Sequence, residues 1–197
     1  MPSIFGYNAI KEDSMRANII IHSISGNLYL IADTFRASLE ERGIDARIYG
    51  VSDPDLHLAA NEKTEVIEYY EEITALPEAT PEKLLSADII ILGSPSRFGM
   101  PTAEMKAFLD STWPLYLREA LRGRKFYAFA STTVDENDGL RTVSGLYRWA
   151  EMMQLPPVPY EPYIHLENEM MPQRPSELID SVAQRLSEIV SLPDLGI

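Results

Sequence analysis

The stretch ANIIIHSISGNLYLIA, residues 17–32, decides how the rest of the chain is read. Ala17 to His22 has the composition of a buried strand. Its unbroken Ile19-Ile20-Ile21 run asks for cover on both faces, as in a parallel sheet. The run stops at Ser23-Ile24-Ser25-Gly26-Asn27. Beyond it, Leu28, Ile31, Ala32, Phe35 and Leu39 recur on one face of a helix. That helix should stop at Arg42-Gly43, where Gly43 can take the left-handed cap conformation. A strand-to-helix turn of this kind leaves backbone N–H groups free at the positive end of a helix, which favours an anion. Gly26 allows close approach, and Ser23, Ser25 and Asn27 can donate hydrogen bonds. The turn holds no Lys or Arg, so a phosphate here would be held by dipoles and hydroxyls. The same residues also suit a plain capped helix start, since Ser and Asn are common caps.

Working outward, residues 1–16 read as an extension before the first strand, and 17–197 as a single domain. Ala46 to Tyr49 is a short second strand. Residues 52–86 form an acidic connection with nine Asp or Glu against Lys63 and Lys83. Glu62 to Leu76 can form a helix ended before Pro77, and Thr80-Pro81 opens another, with Thr80 as cap. Asp88 to Leu92 is a third strand, 93–100 a loop, Pro101 to Ser111 a helix and Pro114 to Leu121 a shorter one. Lys125 to Ala130 is a fourth strand, 131–139 a polar loop and Leu140 to Gln154 a helix. A fifth strand lies within Val158 to Leu166. Pro175 opens a final helix with Leu178, Val182, Leu186 and Ile189 on one face. Strands alternating with helices imply an α/β, doubly wound parallel sheet with helices on both faces.

Composition narrows the chemistry. The chain lacks cysteine, which removes disulfides, Fe–S clusters, cysteine-based zinc sites and a catalytic thiol. Without H-x-x-H spacing, a transition-metal site has no signature either. Seventeen basic against 30 acidic residues give a net charge of −13, a field that repels nucleic acid and anionic lipid. No stretch reaches the ~18 apolar residues of a membrane span, and the first residues carry no signal-peptide pattern. These features point to a cytoplasmic protein.

In an open parallel sheet, ligands bind beyond the carboxyl ends of the strands, where strand order reverses. Loops 23–27, 93–100 and 131–139 leave those ends and are the richest in Ser, Thr, Gly and Asn. The G-x-x-x-x-G-K-[ST] and G-x-G-x-x-G nucleotide loops are absent, as is the G-x-S-x-G elbow of hydrolases.

The middle loop carries the most specific signal. Ser94-Pro95-Ser96-Arg97-Phe98-Gly99 followed by Glu104-Met105-Lys106-Ala107-Phe108-Leu109-Asp110 resembles the WrbA-type NAD(P)H:quinone oxidoreductases and NADPH-dependent FMN reductases of the flavodoxin-like superfamily. The likeness continues through LRGRKFYAFAST, residues 121–132, and covers most of 17–190. It implies a flavodoxin-like, five-stranded sheet in the order 2-1-3-4-5, FMN as cofactor, NADH or NADPH as electron donor, and a small quinone-like acceptor. It implies that Ser23, Ile24, Ser25, Gly26, Asn27 and Leu28 bind the FMN phosphate. Pro95, Ser96, Arg97, Phe98 and Gly99 would wrap the flavin ring edge. Ser131, Thr132 and Thr133 would approach from the other side. It further implies a homodimer or homotetramer that completes the pocket across subunits, to which Trp113 or Trp149 can contribute. Taken alone, Arg97 also suits a solvated cation or an ion pair, Phe98 a core anchor, and both tryptophans core packing.

The chain departs from the family at two places. The first loop ends in Leu28, where a Thr is usual, and the fourth-strand loop carries Asp135-Glu136-Asn137-Asp138 in place of a Gly-rich stretch with His. Acids there would repel an anionic ligand. Among the histidines, His22 reads as a packed imidazole, His57 as solvated, and His165 as a residue able to flank the site. The acidic connection also fits an electron carrier docking on a basic partner. Leu28 with the 135–138 run fits a cofactor-free interaction domain.

Overall fold

The computed structural model describes residues 15–58, 68–167 and 177–190. In chain order the elements are β1 (Arg16–Ile21), α1 (Asn27–Glu40), β2 (Asp45–Gly50), α2 (Tyr70–Thr74), α3 (Pro81–Leu85), β3 (Ile89–Arg97), β4 (Met100–Pro101), α4 (Ala103–Ser111), α5 (Trp113–Tyr116), β5 (Lys125–Thr132), α6 (Glu136–Met152), β6 (Tyr163–Leu166) and α7 (Glu177–Val190). The sheet runs β2-β1-β3-β5-β6, all parallel, which is the expected 2-1-3-4-5 order of five strands. A sixth strand, β4, pairs antiparallel with the end of β3. The expected extension 1–16 lies outside the described residues up to 14, and Arg16 already belongs to β1. Of the expected Glu62–Leu76 helix, residues 62–67 lie outside them, and the described 68–76 contains only the five-residue α2.

Alternation along the strands sorts the core onto two faces. Ile19, Ile21, Ile89, Ile91, Tyr127 and Phe129 point to one side, against Phe35 and Leu39 of α1 and Val182 and Leu186 of α7. Ile20, Ile90, Leu92, Phe126 and Ala128 point to the other, against Leu84, Met105, Phe108 and Leu146. Each of the Ile, Leu, Phe, Val and Met side chains among them contributes roughly 1.5–3 kcal/mol when fully buried. Phe35, with no exposed surface, stacks its ring 5.5 Å from both Tyr127 and Phe129.

The structure departs from the sequence reading where polar residues continue strands. β3 runs on through Gly93-Ser94-Pro95-Ser96 to Arg97, so 93–97 is strand rather than loop. Beyond Gly93 it is no longer paired with β1, while its pairing with β5 reaches Pro95. A proline in that one-sided stretch interrupts no two-sided ladder. Phe98 and Gly99 then form the two-residue tip of a hairpin, with φ of 57° and 69°. Positive φ at both central residues is the type I′ signature, whose twist matches the flanking strands. β5 likewise continues through Ser131 and Thr132. α6 begins at Glu136, four residues before the expected Leu140, because Asp135 caps it. Gly43 does take the left-handed cap, with φ 78°.

Candidate functional site

β2 lies to one side of β1 and β3 to the other, so the strand order reverses at β1. The turn Ser23–Gly26 leaves β1 at that point, with the His22 N–H donating to the Gly93 carbonyl at 3.1 Å. Pro95 sits beside Ser131 in register. The ends of β1, β3 and β5 are therefore neighbours, as the three-loop argument requires.

The start of α1 is built around Gly26, with φ 92° in the left-handed region and no side-chain cap bond. A Cβ on Gly26 would meet the Tyr69 ring at 2.3 Å, so Tyr69 closes over its Cα and only glycine fits. No acidic residue occupies the first turn. Leu30 N–H takes the Gly26 carbonyl at 2.9 Å and Tyr29 N–H takes Ser23 Oγ at 3.3 Å. The N–H groups of Asn27 and Leu28 are the first-turn donors that the helix itself cannot satisfy. Leu28, 1% exposed, buries its side chain in the core; only its backbone belongs to the turn. Ile24 packs toward Leu56 and Ile73, and Ser25 is half-buried.

His22, just before this turn, is 2% exposed. Its Nε2 lies 3.0 Å from Asp53 Oδ2 and its Nδ1 2.8 Å from Thr102 Oγ1. A carboxylate only accepts, so Nε2 carries the proton donated to Asp53. Thr102 also caps α4 by accepting from Met105 N–H at 3.3 Å, and its own N–H donates to Ser94 Oγ at 3.1 Å. The packed-imidazole reading of His22 holds. What the sequence did not supply is that its partners come from the segment after β2 and from the hairpin.

At the hairpin, Pro95 and Ser96 are buried while Arg97 is exposed and Phe98 is 94% exposed. Phe98 is thus neither a core anchor nor covered by the other described residues. A non-glycine residue at positive φ carries strain of about 1–3 kcal/mol, which tends to collect at functional sites. Across from it, the Ser131 hydroxyl donates to Glu167 Oε1 at 2.8 Å, and the Thr132 hydroxyl to Asp138 Oδ2 at 2.9 Å. Both residues are buried strand residues, and Thr133 alone of the three is exposed. His165 lies buried beside Ser131 in the β5–β6 register, and His57 is exposed with Nδ1 2.9 Å from the Pro54 carbonyl.

The acidic run 135–138 is a helix start. Asp135 Oδ1 accepts from Asp138 N–H at 2.9 Å, and Glu136 and Asp138 complement the positive end of α6. Ser96 Oγ lies against Asp138, 3.4 Å from its carbonyl, and receives a hydrogen bond from Thr142 at 2.7 Å. The Ser96 hydroxyl, then Thr132, Arg141 and the Gly99 N–H, hold the Asp138 carboxyl below its ordinary range. Asp138 therefore ties the hairpin tip to β5. The spacing Asp135-x-x-Asp138 was the available signal for this cap.

Among the described residues, no group of three or more His, Asp or Glu is placed to hold a metal ion. No described helix is long and apolar enough to cross a membrane.

Residues 15–169 match the family described as NADPH-dependent FMN reductase. A protein of Archaeoglobus fulgidus named NAD(P)H dehydrogenase (quinone) is 31% identical over 116 residues, 59% of this chain and 61% of its own. One of the same name from Trichlorobacter lovleyi is 30% identical over 138 residues, 67% and 65% of the two chains. The chain thus spans less than two thirds of the length of these relatives. A flavodoxin, WrbA-like protein from Agrobacterium tumefaciens has a similar fold, with TM-score 0.63 and 17% identity over 89% of this chain and 97% of its own. A Streptococcus pneumoniae flavodoxin gives 0.64 and 16% over 89% and 99%.

Proposed function

The chain belongs to the NADPH-dependent FMN reductase family, and from that premise we propose that it is an FMN-dependent oxidoreductase carrying electrons from NADH or NADPH to a quinone or similar small acceptor. The relatives from Archaeoglobus fulgidus and Trichlorobacter lovleyi bear quinone dehydrogenase names, which supports the acceptor class. The observation that carries the reading is the start of α1. It has a left-handed glycine at the cap and no acid in its first turn, and Ser23 Oγ takes only the Tyr29 N–H, leaving those of Asn27 and Leu28. Such a helix end is left for an outside anion, and a flavin phosphate fits it without a cation.

FMN, when bound, would supply the hydride chemistry between the nicotinamide donor and the acceptor. The chain's work is then positional. Asn27 and Leu28 N–H groups, with Ser23 and Ser25, would hold the phosphate. Pro95 to Gly99 would border the ring edge, where Arg97 would add positive charge. His22 fixes the phosphate turn against Asp53 and the hairpin base through Thr102. Phe98 offers an apolar ring to an aromatic ligand. One exposed pocket used in turn by donor and acceptor gives ping-pong kinetics. The same reading places the protein in the cytoplasm, where both nicotinamide donors are found. It also includes assembly as a homodimer or homotetramer, for which exposed Phe98, Met100 and Val134 supply apolar surface.

The test is purification followed by a visible spectrum after addition of FMN, then anaerobic NADH or NADPH. A retained flavin spectrum bleached by either donor is expected, without any partner protein. Failure to bind FMN in excess removes the proposal, and binding without bleaching returns the electron-carrier alternative. Light scattering reads the assembly.

A further inference from the structure

From the hairpin, a groove of about 1130 Å³ runs between α4, α5 and the end of α6. Its near end is His22, Ile24, Arg97 and Phe98, the residues just described. Its far end is Trp113, Tyr116, Trp149 and Met152, none of which the reaction uses. Ligand sites for drug-sized molecules take roughly 300–1,000 Å³. The flavin ring and a single-ring quinone would occupy the hairpin end, and the far wall has no assigned ligand.

The far wall is apolar by construction. Leu109 and Met153 form a buried floor, each 6% exposed. The Trp149 indole N–H is already satisfied by Thr112 Oγ1 at 3.1 Å, and Thr112 in turn donates to the Leu109 carbonyl at 2.6 Å. That leaves the indole no donor of its own for a ligand. Trp113 and Tyr116 stack with centroids 4.9 Å apart, yet Trp113 stays 59% exposed and Met152 44%. The charged groups Lys106 and Arg148 pair with Asp110 and Glu151 one turn along their own helices, at 2.6 Å each.

Gly145 is the second observation. It sits in the middle of α6, where glycine costs roughly 0.5–1 kcal/mol relative to alanine. At Gly139 packing explains the glycine, because a Cβ would meet Ile164 at 2.4 Å. At Gly145 a Cβ would meet only Pro101, at 3.4 Å, an ordinary contact distance. Packing does not require Gly145, and its missing side chain leaves that stretch of the groove wall bare.

We propose that this groove binds the hydrocarbon tail of a lipophilic quinone whose ring is presented at the hairpin, a substrate class that rests on the quinone reading above. Its occupant is thus an acceptor with one polar aromatic head and an extended apolar chain.

The test uses the FMN-loaded chain and one quinone ring carrying either no tail or alkyl tails of increasing length. Trp113 and Trp149 are the only tryptophans in the sequence and both line the groove, so their fluorescence reports occupancy without turnover. Binding should tighten about two- to fourfold per methylene seated, from ~0.8 kcal/mol for a buried CH₂, until the groove is full. Gly145→Leu, which favours the helix and fills the groove, should weaken the tailed quinones about tenfold or more and leave KM for the tailless ring unchanged. Equal affinity with and without a tail overturns the proposal. So does equal loss of both in Gly145→Leu, or a Gly145→Leu variant that dissociates an oligomer while tail length has no effect, which assigns the groove to a second copy. If neither quinone is reduced yet quenching still grows with tail length, the groove stands and the oxidoreductase reading fails.

Discussion

α1 and α6 both start at the carboxyl end of a sheet strand, and they treat their positive ends in opposite ways. α6 fills its own: Asp135 caps it, and Glu136 and Asp138 add negative charge in the first turn. α1 does neither, placing a left-handed glycine at the cap and no acid in the turn. One helix start is complete within the chain, and the other, we propose, takes an external anion. In a protein of net charge −13 there are acids to spare, so the bare start of α1 is the informative one.

The largest effect should come from Gly26→Val. It forces a β-branched residue into φ 92° and drives a Cβ into Tyr69, so FMN affinity should fall by a factor on the order of 100 and stability should drop as well. Equilibrium titration with FMN beside thermal melting measures both; unchanged affinity would break the comparison at its root.

Asn27→Asp makes α1 resemble α6. Stability should rise by about 0.3–1 kcal/mol while FMN affinity falls roughly tenfold, because an internal anion now competes for the same dipole. Opposite signs in denaturant unfolding and FMN titration are the signature; a parallel change in both would contradict it.

Asp135→Ala removes the self-cap of α6. It should cost about 1 kcal/mol, a Tm drop of roughly 2–4 °C for a chain of this size. FMN affinity should move less than about twofold, since this cap serves the helix alone.

The smallest effect concerns Asp138. Its carboxyl is held low chiefly by Ser96, so the ionised form is favoured by folding. The contribution is therefore complete above the ordinary carboxylate pKa and is lost as pH falls through the lowered folded value. The wild-type protein should lose Tm relative to Asp138→Asn on acidification below about pH 4, and the two curves should converge there. Curves that stay parallel down to pH 3 would show that Asp138 does not tie the hairpin to β5.

The β1–turn–α1 unit was legible because its signals are local: an isoleucine run, small polar residues, then a 3.6-residue apolar repeat. The strand order was legible through family resemblance, and alternation alone gave only the doubly wound class. The hairpin was misread because Gly93-Ser94-Pro95-Ser96 has turn composition, whereas its strand conformation depends on pairing with β5 and β4, distant in the sequence. Ser131 and Thr132 were placed in a loop for the same reason. Their acceptors, Glu167 and Asp138, are brought in by the fold.

By itself the sequence determined the apolar stretch of each strand, where the first helix begins, and that the turn before it lacks a cation. Those properties follow from side-chain chemistry and short-range periodicity. Only the tertiary structure decided that His22 is held by Asp53 and Thr102, that Tyr69 closes over Gly26, and that the apolar groove opens from the hairpin. Each depends on segments far apart along the chain meeting at one place. Nothing in the local pattern of either segment records that meeting, because the free energy that fixes it is the burial of the shared core.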